Sequence, residues 1–236
     1  MGIEDSMVGY YADRAREYER IYAKPERQED LQRLRHFVQR TFVGARVLEI
    51  ACGTGYWTQI IARSAASVVA TDINEAVLAV ARAKHINPQR VTFLKEDAYA
   101  PPTRREHFTG ALAAFWWSHV PRAKLRSFLA RFHRRFSPGA RIVFVDNAYV
   151  EGSSTPISRT DQFDDTYQLR KLNNGSTHEV LKNFPTESEL RAAVDGVALQ
   201  VQVELLRYYW ILNYVLKDTP QQCRSDHLRH SSALAG

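Results

Sequence analysis

Gly53 and Gly55 close the run Val47-Leu48-Glu49-Ile50-Ala51-Cys52-Gly53-Thr54-Gly55-Tyr56, in which an apolar stretch ends in glycines. A strand that turns through glycine into a helix presents bare backbone N–H groups at the positive end of the helix dipole. A ligand can approach there without meeting a Cβ. The dinucleotide fingerprint needs a further glycine at position 58, which is Thr. Glu49, two residues before Ala51, would repel a pyrophosphate and attract an ammonium or sulfonium group. The loop is therefore expected to hold a cationic, phosphate-free nucleoside against Glu49, Ala51, Gly53 and Gly55. Asp72, at the end of the next apolar run, is placed to accept hydrogen bonds from both ribose hydroxyls. Asp97-Ala98 follows the third run and could bind an adenine amino group and ring nitrogen, with Ile73 over one ring face.

Those positions need strands that end side by side, and the pattern supplies them. Runs at 46–51, 68–71, 91–95, 110–117 and 140–146 read as strands, with helices expected at 56–64, 74–84 and 121–136. Asn74 is a fair N-cap, Pro121 lies near a first turn, and Ser137-Pro138-Gly139 is a stop signal. Strand–helix alternation implies right-handed crossovers and a parallel sheet covered on both faces, a doubly wound α/β fold. Before it, Leu31, Leu34, Phe37 and Val38 mark an amphipathic helix behind a segment with Tyr10, Tyr11, Tyr18 and Tyr22. After it, Asn174-Gly175 suits a two-residue hairpin turn, which would pair Arg170 with Glu179 and Leu169 with Val180. The same turn sets Tyr167, Leu169, Lys171, His178 and Val180 on one face of a hairpin over 166–182. Thr186 and Glu189 form a capping box for a helix to Val194, and 197–206 and 208–216 read as closing strands. One domain is expected over 1–216, with 1–40 a cover segment, 148–185 an inserted hairpin or lid, and 217–236 a disordered tail.

Composition narrows the classes. Of 236 residues, 44% are hydrophobic and 25% charged, which fits a globular chain and excludes a collagen-like or disordered one. No apolar run reaches the 18 residues of a membrane helix, and the acidic start is not expected to act as a secretory signal. Two cysteines cannot frame a disulfide scaffold, and no common zinc spacing occurs, so no metal is expected. A reducing cytoplasm is the expected compartment. The net charge of +6 permits a polyanionic partner, but the cluster Arg131-Phe132-His133-Arg134-Arg135 reads as one solvated face of an amphipathic helix rather than a nucleic-acid patch.

Glu49-x-Ala51-x-Gly53-x-Gly55 followed by Asp72 and Asp97-Ala98 resembles the class I S-adenosylmethionine-dependent methyltransferases, over about 45–150. The resemblance implies a seven-stranded sheet of order 3-2-1-4-5-7-6 with the last strand reversed. It also implies S-adenosyl-L-methionine as cofactor, S-adenosyl-L-homocysteine as product, and Trp57 and Phe115 as further cofactor residues. Ala51 departs from the family, where glycine is usual. The acceptor pocket is then expected over the ends of strands four and five, Ala114–His119 and Val145–Tyr149. Asn/Asp-Pro-Pro-Tyr/Phe, usual in base-methylating members, is absent.

As consecutive strand residues, Trp116 and Trp117 would face opposite ways, one packed inside and one lining the pocket. His119 is the candidate general base, with helix capping as its other reading. Tyr11 is the second catalytic candidate, and Tyr10, Tyr18, Asn147, Tyr149, Arg170 and His178 complete the substrate set. The tyrosine entry, the tryptophan pair and the hairpin also resemble toxoflavin-type azapteridine N-methyltransferases, which implies methylation of a ring nitrogen. The expected function is methyl transfer to a small molecule, at nitrogen of an aromatic or heterocyclic compound, by a monomer or homodimer away from membranes and nucleic acid. The alternatives are an RNA or protein methyltransferase, a small-molecule O-methyltransferase, a cofactor-sensing module without turnover, and an NAD-binding dehydrogenase.

Overall fold

The computed structural model describes residues 3–15, 17–100 and 108–218, so most of the expected C-terminal tail lies outside the described residues. Helix α1 (Ile3–Arg14) and a 3-10 segment (Tyr18–Ala23) lead into α2 (Gln28–Thr41), whose Leu31, Leu34 and Val38 are wholly buried. The alternating unit follows as β1 (Arg46–Ile50), α3 (Tyr56–Ile61), β2 (Ser67–Asp72), α4 (Glu75–Arg82), β3 (Val91–Lys95), β4 (Phe108–Ala114), α5 (Arg122–His133) and β5 (Phe136–Asn147). Asn74 caps α4 by accepting from the Ala76 N–H at 3.0 Å, as its type and position require.

Next comes a separate three-stranded sheet of β6 (Arg159–Thr160), β7 (Thr166–Lys171) and β8 (Thr177–Leu181). The chain ends on α6 (Glu187–Ala193), β9 (Ala198–Leu205) and β10 (Tyr209–Leu216), and Thr186 with Glu189 makes the expected capping box. The large sheet runs β3-β2-β1-β4-β5-β10-β9, with β10 antiparallel to both neighbours, so the doubly wound sheet is as expected. Val47, Leu48 and Ile50 on β1 are wholly buried, as a strand covered on both faces must be. One apolar layer packs beneath α2 and α3, another beneath α5 and α6, and a third joins α1 to the small sheet through Tyr10, Val180 and Leu181.

Two local expectations fail for identifiable reasons. β4 stops at Ala114 and residues 117–119 form a 3-10 turn, so Trp116 and Trp117 are not consecutive strand residues. The hairpin loop has three residues, because the Leu172 N–H donates to the Ser176 carbonyl and Gly175 takes the left-handed conformation at φ 88°. The register therefore shifts by one: Arg170 faces His178, Leu169 faces Glu179 and Gln168 faces Val180. His178 and Val180 share a face with Gln168 and Arg170 and not, as expected, with Tyr167, Leu169 and Lys171.

Candidate active site

Two cavities meet over the carboxyl ends of the central strands. The first, about 230 Å³, is bounded by Ala51, Gly53, Asp72, Ile73, Asp97, Ala98, Phe115 and Trp116, with Met7 and Val8 of α1 above. Gly53 has φ 55°, and a Cβ there would meet no protein atom within 4 Å. Ala51 and Phe115, the first residues beyond β1 and β4, also have positive φ (49° and 61°), which L-residues adopt at a cost. The Ala51 conformation is one that glycine takes freely. Asp72 binds the loop, with Oδ2 accepting from the Gly53 N–H and Oδ1 from the Asn74 N–H, both at 2.9 Å. Its carboxylate retains accepting capacity toward the cavity. Asp97 Oδ1 accepts from the Tyr99 N–H at 2.9 Å.

The other three expected cofactor residues stand behind this wall. Glu49 is buried, its Oε2 accepts from the Thr58 hydroxyl at 2.6 Å, and burial pushes its carboxyl up to about 8. Gly55 packs the loop against α4, where a Cβ would come within 3.0 Å of Ala81 Cβ. Trp57 belongs to the core and donates its indole N–H to the Tyr22 hydroxyl at 3.1 Å.

The second cavity, about 300 Å³, lies between α1, the segment around Lys24 and Arg27, the end of β5 and the hairpin. Tyr10, Asn147 and Arg170 line it, and Tyr11, Tyr18, Phe115 and His119 are common to both cavities. These four form the septum across which anything passing between the cavities must travel. Other expected substrate residues stand elsewhere. Trp116 lines the first cavity, and Trp117 is buried edge-on to Phe144 and Trp210. Tyr149 is 41% exposed and edge-on to Phe184, while His178 packs beside Tyr10 and bonds Ser176.

His119, buried, bridges α1 and the hairpin. Its Nδ1 lies 2.6 Å from the Leu181 carbonyl, which can only accept, so Nδ1 carries the proton. Nε2 is then an acceptor and takes the Tyr11 hydroxyl at 2.8 Å. Burial first, and the Lys182 ammonium second, push the imidazole down to about 3, which makes it a weak base. Burial pushes the Tyr11 phenol up, so it stays protonated as a donor.

Beneath them lies a buried ion pair that no short-range sequence pattern announces. Lys182 Nζ lies 2.7 Å from Asp146 Oδ1 and 2.6 Å from Ser118 Oγ, and Asp146 also accepts from the Ser118 N–H. Burial pushes Lys182 down to about 8, while the ammonium holds the Asp146 carboxyl low despite its burial. Asp146 stands at the end of β5, a position that could have flagged it. Lys182 ends the hairpin, and only the fold sets it opposite Asp146.

Residues 47–139 match the family model of a methyltransferase domain. The chain is 33% identical over 148 residues to a demethylmenaquinone methyltransferase of Clavibacter sepedonicus, a match spanning 58% of this chain and 57% of that one. It therefore spans a little over half the length of that relative. A 2-phytyl-1,4-naphtoquinone methyltransferase of Thermosynechococcus vestitus is 25% identical over 193 residues, 76% of this chain and 81% of that one.

Among solved structures, a DhpI–SAH complex superposes with TM-score 0.73 at 24% identity, covering 92% of this chain and 98% of the other. The Burkholderia thailandensis 1,6-didemethyltoxoflavin-N1-methyltransferase superposes with TM-score 0.60 at 15% identity, covering 91% and 89%. Residues 47–139 thus match a methyltransferase domain, and the large sheet has the Rossmann-like fold of the solved structures on which it superposes.

Proposed function

We propose that this chain transfers a methyl group from S-adenosylmethionine to a small molecule, with the first cavity as the donor side and the second as the acceptor side. The carrying observation is that the two cavities share one wall, Tyr11, Tyr18, Phe115 and His119, directly beyond the glycine loop. S-adenosylmethionine, when bound, supplies a sulfonium methyl whose C–S bond breaks as an acceptor lone pair forms the new bond, with the electron pair staying on sulfur.

The chain's own residues do the rest. Gly53 gives close backbone approach, Asp72 and Asp97 offer carboxylate acceptors at the ends of β2 and β3, and Ile73 lies between them. That set suits a nucleoside with a diol and an amino group, and a wall of Phe115, Trp116, Met7 and Val8 excludes water from it. Orientation alone can supply about 7–11 kcal/mol of such a barrier. His119 fixes the Tyr11 hydroxyl at the septum and, with its weak basicity, is an orienting acceptor better than a proton sink. The nucleophile therefore arrives with a free lone pair.

A ring nitrogen of an aromatic or heterocyclic acceptor fits the tyrosine and phenylalanine rings of the second cavity. An oxygen nucleophile fits its polar side chains. The quinone methyltransferases among the relatives and the toxoflavin enzyme among the structures act, by their names, on small ring compounds, which supports this class of acceptor.

Calorimetric titration with S-adenosylhomocysteine tests the reading. Binding is expected in the wild type, and Asp72→Asn should weaken it by about 1.5–3 kcal/mol through lost charged hydrogen bonds. Absence of binding, or tighter binding of NAD, would overturn the assignment of the donor cavity. A thermal melt of the variant separates lost contacts from a lost loop.

A further inference from the structure

Arg170 has lost the partner that its sequence neighbourhood implies. With the register shifted by one, His178 stands opposite it, and Glu179 is taken by Arg159 of β6 through bonds of 2.8 and 2.5 Å. Arg170 donates from Nη2 to Gln168 Oε1 at 2.9 Å and lies beside the Tyr10 hydroxyl, and its buried Nε has no hydrogen-bond partner. Arg14, also on the wall of the second cavity, donates to the Tyr10 hydroxyl at 2.7 Å and lies against the Tyr18 ring.

Across from them Arg27 is 7% exposed, held by Ser153 and Asn147 oxygens and by the faces of Tyr208 and Tyr209. Its Nε is likewise buried and unpartnered. Lys24 donates to the Ser153 carbonyl, and Lys171 completes the lining. Among the described residues none of these five cations has a carboxylate within 4 Å, and no acidic side chain lines the cavity. Lys182, the sixth cation, is matched by Asp146.

The guanidinium groups of Arg14, Arg27 and Arg170 share one small cavity where water screens them poorly, while Lys171 is exposed and Lys24 has Glu26 nearby. A solvated surface tolerates such a set; a half-enclosed cavity whose guanidinium nitrogens lack partners does not. Planar guanidinium forks match the oxygens of carboxylates and phosphoryl groups, which also bring the negative charge that a neutral ring lacks.

We infer that the molecule accepted by this cavity is a small organic oxyanion, carrying a carboxylate or phosphoryl-type group gripped by Arg170 and Arg14 beside the septum, with Arg27 and Lys24 on the opposite wall. This rests on reading the second cavity as the acceptor side and names the chemistry that side selects.

Titration of the S-adenosylhomocysteine-saturated protein with benzoate, phenyl phosphate and the neutral isostere benzamide tests it. At least one of the two anions is expected to bind about tenfold or more tightly than benzamide, and which one wins identifies carboxylate or phosphoryl chemistry. Arg170→Gln should reduce that preference about tenfold, and Arg170→Lys should restore part of it, while the affinity for S-adenosylhomocysteine stays unchanged in both. Equal binding of benzamide and the anions, or an anion preference untouched by Arg170→Gln and by Arg14→Gln, would overturn the inference. If the wild type binds no S-adenosylhomocysteine, the donor assignment falls, and the same three titrations on the free protein still decide the present point.

Discussion

The proposed donor cavity is built at strand ends and the proposed acceptor cavity from side chains of separate segments, although they share a wall. On the donor side the ligand-facing groups sit at the ends of β1, β2, β3 and β4, where a left-handed Ala51, Gly53 and two aspartates are set by strand geometry. On the acceptor side Arg14, Arg27, Asn147 and Arg170 come from four separate segments, with Lys182 and Asp146 buried below. A site made by strand ends is rigid and general. One made by long side chains from inserted segments can be rebuilt for another acceptor without disturbing the sheet. Sites of different chemistry can in this way be carried by one fold.

If the contrast is right, the acceptor side should carry the larger stability risk. Lys182→Met would strand the Asp146 carboxylate, 0% exposed, without its counter-ion. Removing one partner of a buried pair costs about 3–5 kcal/mol, because the remaining charge keeps its desolvation penalty. The expected result is a lower urea midpoint, largely recovered in the double variant Asp146→Asn with Lys182→Met. A single variant as stable as the wild type would show that the pair is solvated and that the two halves do not differ in this way.

The sequence made the donor half legible because its signals are local. Glycine spacing, the acid at the end of each strand, the Asn74 cap and the Thr186–Glu189 capping box all act within a few residues. The doubly wound sheet followed from the same alternation, and its strand order from the family resemblance. The acceptor half was read poorly because its contacts span the chain. Arg27 reaches Ser153 and Asn147, and Lys182 reaches Asp146 and Ser118, none of which leaves a short-range pattern.

A single extra residue in the hairpin loop changed the partners of Arg170 and Glu179, since strand register converts one residue into a change of face. One of the two tryptophans packs inside and the other lines a cavity, as expected, but a turn beyond the end of β4 sets them so and not strand alternation. Glu49, expected to face a cationic ligand at the loop, stands behind the cavity wall against Thr58.

Glu49 gives the next test, on the donor side, where it is the exception among the three expected cofactor acids, held behind the cavity wall. Its carboxyl is pushed from the ordinary 4.5 up to about 8 by burial. Below pH 4.5 folded and unfolded chains both hold the proton, so the group does not penalise folding. As pH rises toward 8 the unfolded chain releases a proton that the folded chain keeps, and stability is lost across that window. Glu49→Gln, which keeps an acceptor for Thr58 and cannot ionise, should therefore gain on the wild type as pH rises. The expected gain is about 2–4 kcal/mol between pH 5 and pH 8, measured by urea denaturation. A difference that stays constant with pH would place Glu49 in a solvated setting and remove this exception from the donor side.

The smallest effect belongs to the septum itself, where the two construction styles meet. Tyr11→Phe removes the hydroxyl given to His119 Nε2 and keeps the ring that packs between Tyr10 and Tyr18. One net hydrogen bond is worth about 0.5–1.5 kcal/mol, so the melting temperature should fall only slightly. Affinity for S-adenosylhomocysteine should hold, because the donor cavity's polar groups are untouched. Turnover should drop about tenfold if the hydroxyl orients the acceptor, an effect of about 1.4 kcal/mol on the barrier. The wild-type rate should show no inflection near pH 6.5, since His119 is held down to about 3 and stays neutral across that range. An inflection near 6.5 that disappears in His119→Gln would make the imidazole a general base after all. Unchanged turnover in Tyr11→Phe would instead reduce the septum to a packed partition, with acceptor placement left to the charged walls on the far side.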